Sequence, residues 1–158
     1  MNTATILFGT ETGNAEMVAD DIQTALGDSG VKSEVFSMNE YLVDDLDHRR
    51  LVVLVTSTYG EGDLPDTAIP FVEALRRSTP DLTTTRFAAF GLGDSSYDTY
   101  NRGIATLITE FTSLGATQIG ETGRHDAYSG SDPADAAIAW ARELAAAIEA
   151  LPPVKTVP

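Results

Sequence analysis

An apolar run passes directly into a loop of hydroxyl residues, glycine and asparagine in "ILFGTETGNAE", residues 6–16. Ile6 to Phe8 have the composition of a buried strand, and apolar residues at helical spacing follow the loop. Gly13 lets the backbone approach a ligand closely, and a helix that begins near Asn14 directs unpaired amide groups to the same place. The stretch therefore predicts a strand, an anion-binding loop and a helix in succession.

Strand-like apolar runs recur along the chain. They cover residues 4–8, 31–36, 51–55 and 87–90, with a weaker run at 116–119. Amphipathic helical patterns separate them, marked by Val18, Ile22, Ala25 and Leu26, by Phe71, Val72 and Leu75, and by Ile104, Leu107, Ile108, Phe111 and Leu114. Alternating strands and helices predict an α/β fold with a parallel sheet covered on both faces. The connection from Asn39 to Arg50 shows no clear pattern.

The last helix is marked by Asp132 and Pro133, which suit an N-cap and a first turn. Trp140 falls on its apolar stripe with Leu144, Ile148 and Leu151, so we expect Trp140 to belong to the core. Residues 1–151 are expected to form one domain, and the Pro-rich segment 152–158 a flexible tail.

Composition restricts the chemistry that the chain can perform. The absence of cysteine excludes disulfides, thiolate metal sites, iron–sulfur clusters and cysteine nucleophiles, so any redox chemistry needs a bound cofactor. A net charge of −14 disfavours nucleic acid and anionic membranes and favours a basic protein partner. No apolar run approaches the ~20 residues of a membrane helix. We expect a cytoplasmic protein without a metal site.

Two later loops also follow predicted strands directly. One is "TSTYGEGDLPD", residues 56–66, after the third strand, and the other is "GLGDSSYDTYN", residues 91–101, after the fourth. Each places a tyrosine among small residues, Tyr59 and Tyr97, and two such rings can enclose a planar ligand. Ligands of doubly wound sheets bind beyond the carboxyl ends of the strands. The three loops predict a ligand that is planar at one end and phosphorylated at the other.

The same three loops contain acidic residues and no basic one; the acids are Glu11, Glu61, Asp63, Asp66, Asp94 and Asp98. Amides and hydroxyls can hold a phosphate without a cation when enough of them converge. Solubility or an acidic proteome would account for the overall charge, but not for its concentration in these loops. Negative charge beside a ligand that gains an electron lowers its reduction potential.

The loops resemble the flavin mononucleotide (FMN) loops of flavodoxins and of the flavodoxin domain in diflavin reductases. The resemblance rests on residues 10–15, 57–63 and 90–94 with Tyr97 and Asn101, and it extends in order from about Ala4 to Glu149. "PDLTTTRFAAFGLG" (80–93) and "GETGRHDAYSGSDPADAAIAWA" (120–141) are similar to short flavodoxins of the MioC kind and to cindoxin-like flavodoxins that serve haem-thiolate monooxygenases. The family implies a doubly wound, five-stranded parallel sheet of order 2-1-3-4-5.

The resemblance implies FMN as the cofactor, with its phosphate held at residues 10–15 and its ring flanked by Tyr59 and Tyr97. The cofactor-binding set that it implies is Thr10, Glu11, Thr12, Gly13, Asn14, Ala15, Ser57, Thr58, Tyr59, Gly60, Glu61, Gly62, Leu92, Gly93, Asp94, Tyr97, Tyr100 and Asn101. Two positions depart from the family pattern. Many relatives have a hydroxyl residue in place of Ala15, and diflavin domains usually have asparagine in place of Asp94.

The function that this implies is a low-potential, one-electron carrier without substrate turnover or catalytic residues. Its expected partners are a basic-faced reductase of the flavodoxin/ferredoxin reductase type and an acceptor, such as a haem-thiolate monooxygenase or a biosynthetic enzyme. We expect a monomer. The main alternative is an FMN-dependent NAD(P)H:quinone reductase-like enzyme, because the flavin loops of such enzymes can look alike.

Two further classes of protein fit the sequence less well. Gly93-Asp94-Ser95 looks like the nucleophile motif of a lipase family, but there the serine follows the first strand and here it follows the fourth. A signalling receiver needs an aspartate at the end of its third strand, where Thr56 and Ser57 stand instead. His125 and Asp126 follow the fifth strand, and they either approach the flavin or solvate a loop.

Overall fold

The computed structural model describes residues 3–10, 13–58, 64–93 and 102–151, without the side chains of residues 47 and 48. The predicted tail, residues 152–158, lies outside this part of the chain. The strands are β1 (Thr3–Gly9), β2 (Lys32–Ser37), β3 (Leu51–Ser57), β4 (Arg86–Gly93), β5 (Thr117–Gln118) and β6 (Gly123–Asp126). The helices are α1 (Asn14–Asp28), α2 (Ile69–Ser78), α3 (Arg102–Ser113) and α4 (Pro133–Glu149).

The strands form one parallel sheet of order β2-β1-β3-β4-β5, with β6 also paired to β4. This confirms the predicted fold class and strand order. The fifth strand, predicted as a single run at 116–119, is instead two short strands. β5 pairs with the first residues of β4 and β6 with the last ones. Gly120, with a φ of 68°, breaks the extended conformation between the two strands.

The central strands are buried on both faces, which explains why their sequences are continuous apolar runs. Ile6, Val53 and Phe90 face the layer formed by α1 and α4. Leu7 and Leu54, one residue along from Ile6 and Val53, face the layer formed by α2 and α3. The predicted helical patterns are confirmed, because their apolar residues are buried or packed against one of these two cores.

The final helix begins as predicted, with the Asp132 side chain accepting a hydrogen bond from the Ala134 amide (2.9 Å). Trp140 is partly buried at the edge of the core. Its ring meets Phe90 edge-on at 5.3 Å between centroids, and its Nε1 donates to the Glu121 carbonyl (3.0 Å).

The segment that showed no pattern, between β2 and β3, contains two 3₁₀ helices, Met38–Glu40 and Val43–His48. Met38, Val43 and Leu46 anchor it to the core below α2. Irregular spacing of these apolar residues explains why no helix could be predicted there.

No helix in the described part of the chain is long and apolar enough to cross a membrane.

Replacing Gly123 with alanine is expected to lower the free energy of unfolding by about 1–3 kcal/mol, as overpacking does. A Cβ there would collide with Phe90 Cδ2 and lie 2.7 Å from Trp140 Cδ1. The matched variant Gly27→Ala, in α1 with nothing within 4 Å of the added carbon, is expected to raise it by about 0.4–1 kcal/mol. Urea unfolding of both variants checks this, and a neutral Gly123→Ala would contradict the tight packing.

Candidate functional site

The carboxyl ends of β1, β3 and β4 lie side by side at one edge of the sheet. Gly9 pairs with Thr56, and Ser57 pairs with Leu92. The chain passes from β1 outward to β2 and then returns to β3 on the other side of β1, so the strand order reverses between β1 and β3. The three predicted ligand loops follow these strands, at the switch point where doubly wound folds bind ligands.

Helix α1 begins just beyond β1, with backbone donors that have no partner in the described part of the chain. Its N-cap is Gly13, in the left-handed region with a φ of 90°, and among the described residues no side chain caps this end. The first backbone hydrogen bond at this end, among the described residues, runs from the Met17 amide to the Gly13 carbonyl (3.1 Å). The amides of residues 14–16 therefore have no backbone acceptor in the described chain, which suits the binding of an anion.

Thr10 folds the first loop back toward this helix. Its Oγ1 accepts a hydrogen bond from the Gly13 amide (2.8 Å), and its hydroxyl hydrogen has no acceptor among the described residues. That hydrogen is available to a ligand. Asn14 is exposed, whereas Ala15 is fully buried in the core, so only its amide can take part in binding.

The first two residues of the predicted second loop, 56 and 57, belong to β3. Thr58 follows this strand directly and is held through both its backbone and its side chain. Its amide donates to the Leu92 carbonyl (3.0 Å), and its Oγ1 accepts from the Gly103 amide at the start of α3 (2.9 Å). A Cβ on Gly103 would lie 2.7 Å from the Ser57 carbonyl oxygen. α3 can begin this close to β3 only because residue 103 is glycine.

Several predicted cofactor-binding residues meet at this edge of the sheet: Thr10, Gly13, Asn14, Ala15, Ser57, Thr58, Leu92 and Gly93. The others lie outside the described residues, so their contacts stay predictions: Glu11, Thr12, Tyr59, Gly60, Glu61, Gly62, Asp94, Tyr97, Tyr100 and Asn101. Sequence reasoning missed Gly103. A glycine in the first turn of a helix looks the same in sequence whether or not a strand end lies against it.

His125 and Asp126 close β6 beside Leu92 and Gly93, at the start of the third loop. His125 is buried, and its Nε2 lies 2.7 Å from the Ser131 carbonyl oxygen, so Nε2 carries the hydrogen and donates it. Asp126 accepts a hydrogen bond from the Tyr128 amide (2.9 Å). Both side chains therefore hold the turn between β6 and α4, and His125 does so from a buried position rather than as a solvated loop residue.

Acidic side chains of α1 and of the α4 N-cap lie close enough to interact. Burial raises the pKa of Asp21 above its ordinary value, and the charges of Asp132 and Asp20 raise it further. Asp21 lies in the middle of α1, whereas Asp132 caps the start of α4, the end of that helix that lies at the carboxyl edge of the sheet.

Comparison with known proteins places the chain in a family. The family model described as flavodoxin matches residues 6–140. The chain belongs to the flavodoxin family. The MioC protein of Escherichia coli (strain K12) is 36% identical over 136 residues, which are 86% of this chain and 91% of MioC. A point mutant of flavodoxin from Pseudomonas aeruginosa superimposes with a TM-score of 0.84 at 33% identity, covering 93% of this chain and 99% of that one.

The family match confirms the resemblance to flavodoxins that the sequence showed. It gives this flavodoxin FMN as its cofactor and electron transport as its role. NADPH-dependent diflavin oxidoreductase 1 of Cryptococcus neoformans var. neoformans serotype D (strain JEC21 / ATCC MYA-565) is also 36% identical, over 141 residues. That match covers 87% of the flavodoxin but only 23% of the longer relative. The flavodoxin thus corresponds to one part of a larger protein in that case.

Asp21→Asn is expected to stabilise this flavodoxin at neutral pH. Because the folded-state pKa of Asp21 lies above the unfolded value of 3.8, its ionisation destabilises the fold. The destabilisation is complete above the folded-state pKa, diminishes as the pH falls through it, and is absent below about 3.8. Urea unfolding at about pH 7 and about pH 3 checks this.

The increase in the free energy of unfolding caused by Asp21→Asn should be present only at the higher pH. Added salt should reduce this increase, because Asp20 and Asp132 raise the pKa of Asp21 through their charges. An equal gain at both pH values would show that removal of the charge is not the cause.

Proposed function

We propose that this flavodoxin passes single electrons from a reductase to an acceptor protein and turns over no substrate of its own. The observation that carries the proposal is that the carboxyl ends of β1, β3 and β4, from which the three loops leave, lie side by side at the strand-order reversal. The amides of residues 14–16, which have no backbone acceptor in the described chain, lie at the same place. Membership of the flavodoxin family supports the carrier role. The partners are proposed only as classes: a reductase with a basic face and an acceptor such as a haem-thiolate monooxygenase or a biosynthetic enzyme.

The residues at the start of α1 fit the phosphate of FMN. The amides of residues 14–16 and the hydroxyl hydrogen of Thr10, which have no acceptor among the described residues, are donors, and a helix of 15 residues presents the positive end of its dipole there. Hydrogen bonds to a charged acceptor are about twice as strong as neutral ones, so a lysine is not required. We propose that Thr12 adds a hydroxyl to this set, and that Asn14 and Ala15 contribute their amides.

We infer that the flavin ring lies between the second and third loops, flanked by Tyr59 and Tyr97 and with Asp94 and Asn101 at its edge. Ser57 and Thr58 would support it from the end of β3, and Leu92 and Gly93 from the end of β4. Bound FMN supplies the electron chemistry. The residues of this chain hold the cofactor, fix its orientation and set the charge around it.

The acidic surface gives the carrier a way to meet its partners. The acids of the three loops, with Asp132 at the N-cap of α4, would make the flavin end of the molecule negative. A basic face on a reductase would be drawn to this end, with an encounter rate that falls as ionic strength rises. We also propose that residues 1–151 act as one domain, since Leu151 still packs against the core.

The carrier function is tested by reduction of the purified, FMN-loaded protein. NADPH alone should leave the flavin absorbance unchanged. NADPH together with a catalytic amount of a flavodoxin reductase should bleach the flavin absorbance in steps. The rate with the reductase should fall several-fold between low salt and about 0.5 M salt, since charge steers the encounter. Rapid reduction by NADPH alone would favour the quinone reductase-like alternative, and a salt-independent rate would contradict acidic docking.

Asp94→Asn is expected to raise the reduction potential of the bound FMN. A negative charge about 8 Å from a group that gains an electron costs about 0.5–2 kcal/mol, which corresponds to about 20–90 mV. Spectroelectrochemical titration measures the shift. Asp28→Asn is the matched control, because Asp28 ends α1 at the opposite edge of the sheet and should change the potential much less. An unchanged or lowered potential in Asp94→Asn would contradict the electrostatic account.

A further inference from the structure

Thr67 lies outside the predicted cofactor-binding set, yet it ties the first loop to the start of α2. Its hydroxyl oxygen accepts a hydrogen bond from the Thr10 amide (2.7 Å), and its hydrogen is donated to the Thr10 carbonyl (3.2 Å). A single hydroxyl thus satisfies both backbone groups of the residue that follows β1. The two residues are 57 positions apart in sequence, so the contact is purely tertiary.

The turn that contains Thr67 is packed closely against β1. A Cβ on Gly9 would lie 2.8 Å from Ala68 Cβ and 3.1 Å from Met38 Sδ, so β1 approaches the turn before α2 as closely as a glycine allows. Ala68 is fully buried. The Pro65 carbonyl closes the turn by accepting the amides of Ala68 (2.9 Å) and Ile69 (3.3 Å). Thr67 therefore has little freedom to move relative to β1.

We propose that Thr67 is a positioning residue for the phosphate of FMN. It fixes the Thr10 backbone, and Thr10 in turn accepts the Gly13 amide through Oγ1 (2.8 Å), which sets where the loop meets α1. Thr67 does not donate to the phosphate, since its only hydroxyl hydrogen is used on the Thr10 carbonyl. The inference rests on the proposed placement of the phosphate at this loop.

Loss of the Thr67 hydroxyl should affect the phosphate more than the ring. Thr10 is partly exposed, so water can replace the lost partners of its backbone. The loop would then sample other conformations when empty, and phosphate binding would have to restrict them. The proposed ring contacts lie mainly in the other two loops. FMN and riboflavin, which has the ring but no phosphate, should therefore respond differently.

The test compares FMN and riboflavin affinities of the apoprotein by quenching of flavin fluorescence. Thr67→Val keeps the shape of the side chain and removes the hydroxyl, and Thr67→Ser keeps the hydroxyl. We expect Thr67→Val to lower the FMN-to-riboflavin affinity ratio by about tenfold, with riboflavin affinity changed by less than about twofold. Thr67→Ser should restore the wild-type ratio.

Thr85→Val is the matched structural control. Thr85 is buried, and its hydroxyl donates to the Arg49 carbonyl (2.9 Å) just before β4, at the edge opposite the loops. This variant also loses a hydroxyl that bonds to distant backbone, so it should lower thermal stability without changing the affinity ratio. An FMN-to-riboflavin affinity ratio that falls equally in Thr85→Val and Thr67→Val would show that the ratio follows loss of stability in general. That result would overturn the proposal.

The outcomes separate this inference from the proposed function. A wild-type protein that binds riboflavin as tightly as FMN would overturn the phosphate placement itself. A wild-type protein that prefers FMN, together with a Thr67→Val protein that keeps the same preference, would overturn only the role of Thr67. Should Thr67→Val fail to fold, Thr67→Ala provides the same comparison, because it removes the hydroxyl without leaving a branched apolar group in its place.

Discussion

Burial of β1 and β3 on both faces is the constraint on which the rest of this structure depends. Their side chains alternate between two separate cores, so helices must cover both sides of the sheet. Placing α1 on one face and α2 on the other requires the chain to reverse its direction of travel across the sheet between these strands. That reversal leaves a crevice at the carboxyl edge, and the first two ligand loops follow the strands that border it.

The site is built as much from missing side chains as from those present. Gly9 lets the turn before α2 approach the end of β1, and Gly103 lets α3 begin against the end of β3. Gly13 takes up the left-handed conformation at the start of α1. These close approaches bring backbone amides and threonine hydroxyls together at one edge of the sheet. Such dipoles can bind a phosphate without a cation when enough of them converge.

Much of the fold followed from the sequence, because a strand buried on both faces must be apolar throughout. The predicted runs at 4–8, 51–55 and 87–90 correspond to β1, β3 and β4. The outer strands next to β4 were harder to predict. The weak run at 116–119 corresponds to β5 alone, and β6 was missed because "GRHD", residues 123–126, does not look like a strand. Its place beside β4 is secured by Gly123, against which Phe90 and Trp140 pack.

The sequence by itself indicated three loops after strands and a planar, phosphorylated ligand, because hydroxyl, glycine and aromatic residues form local patterns there. Its resemblance to flavodoxins added the family and the cofactor. The tertiary structure alone decided which residues support that pattern from a distance. Thr67 bonds to Thr10, which is 57 residues away, and Thr58 bonds to Gly103, which is 45 residues away. Threonine and glycine are common in loops for many reasons. Only the fold, by bringing separate strand ends together, gives each of them a particular hydrogen-bond partner.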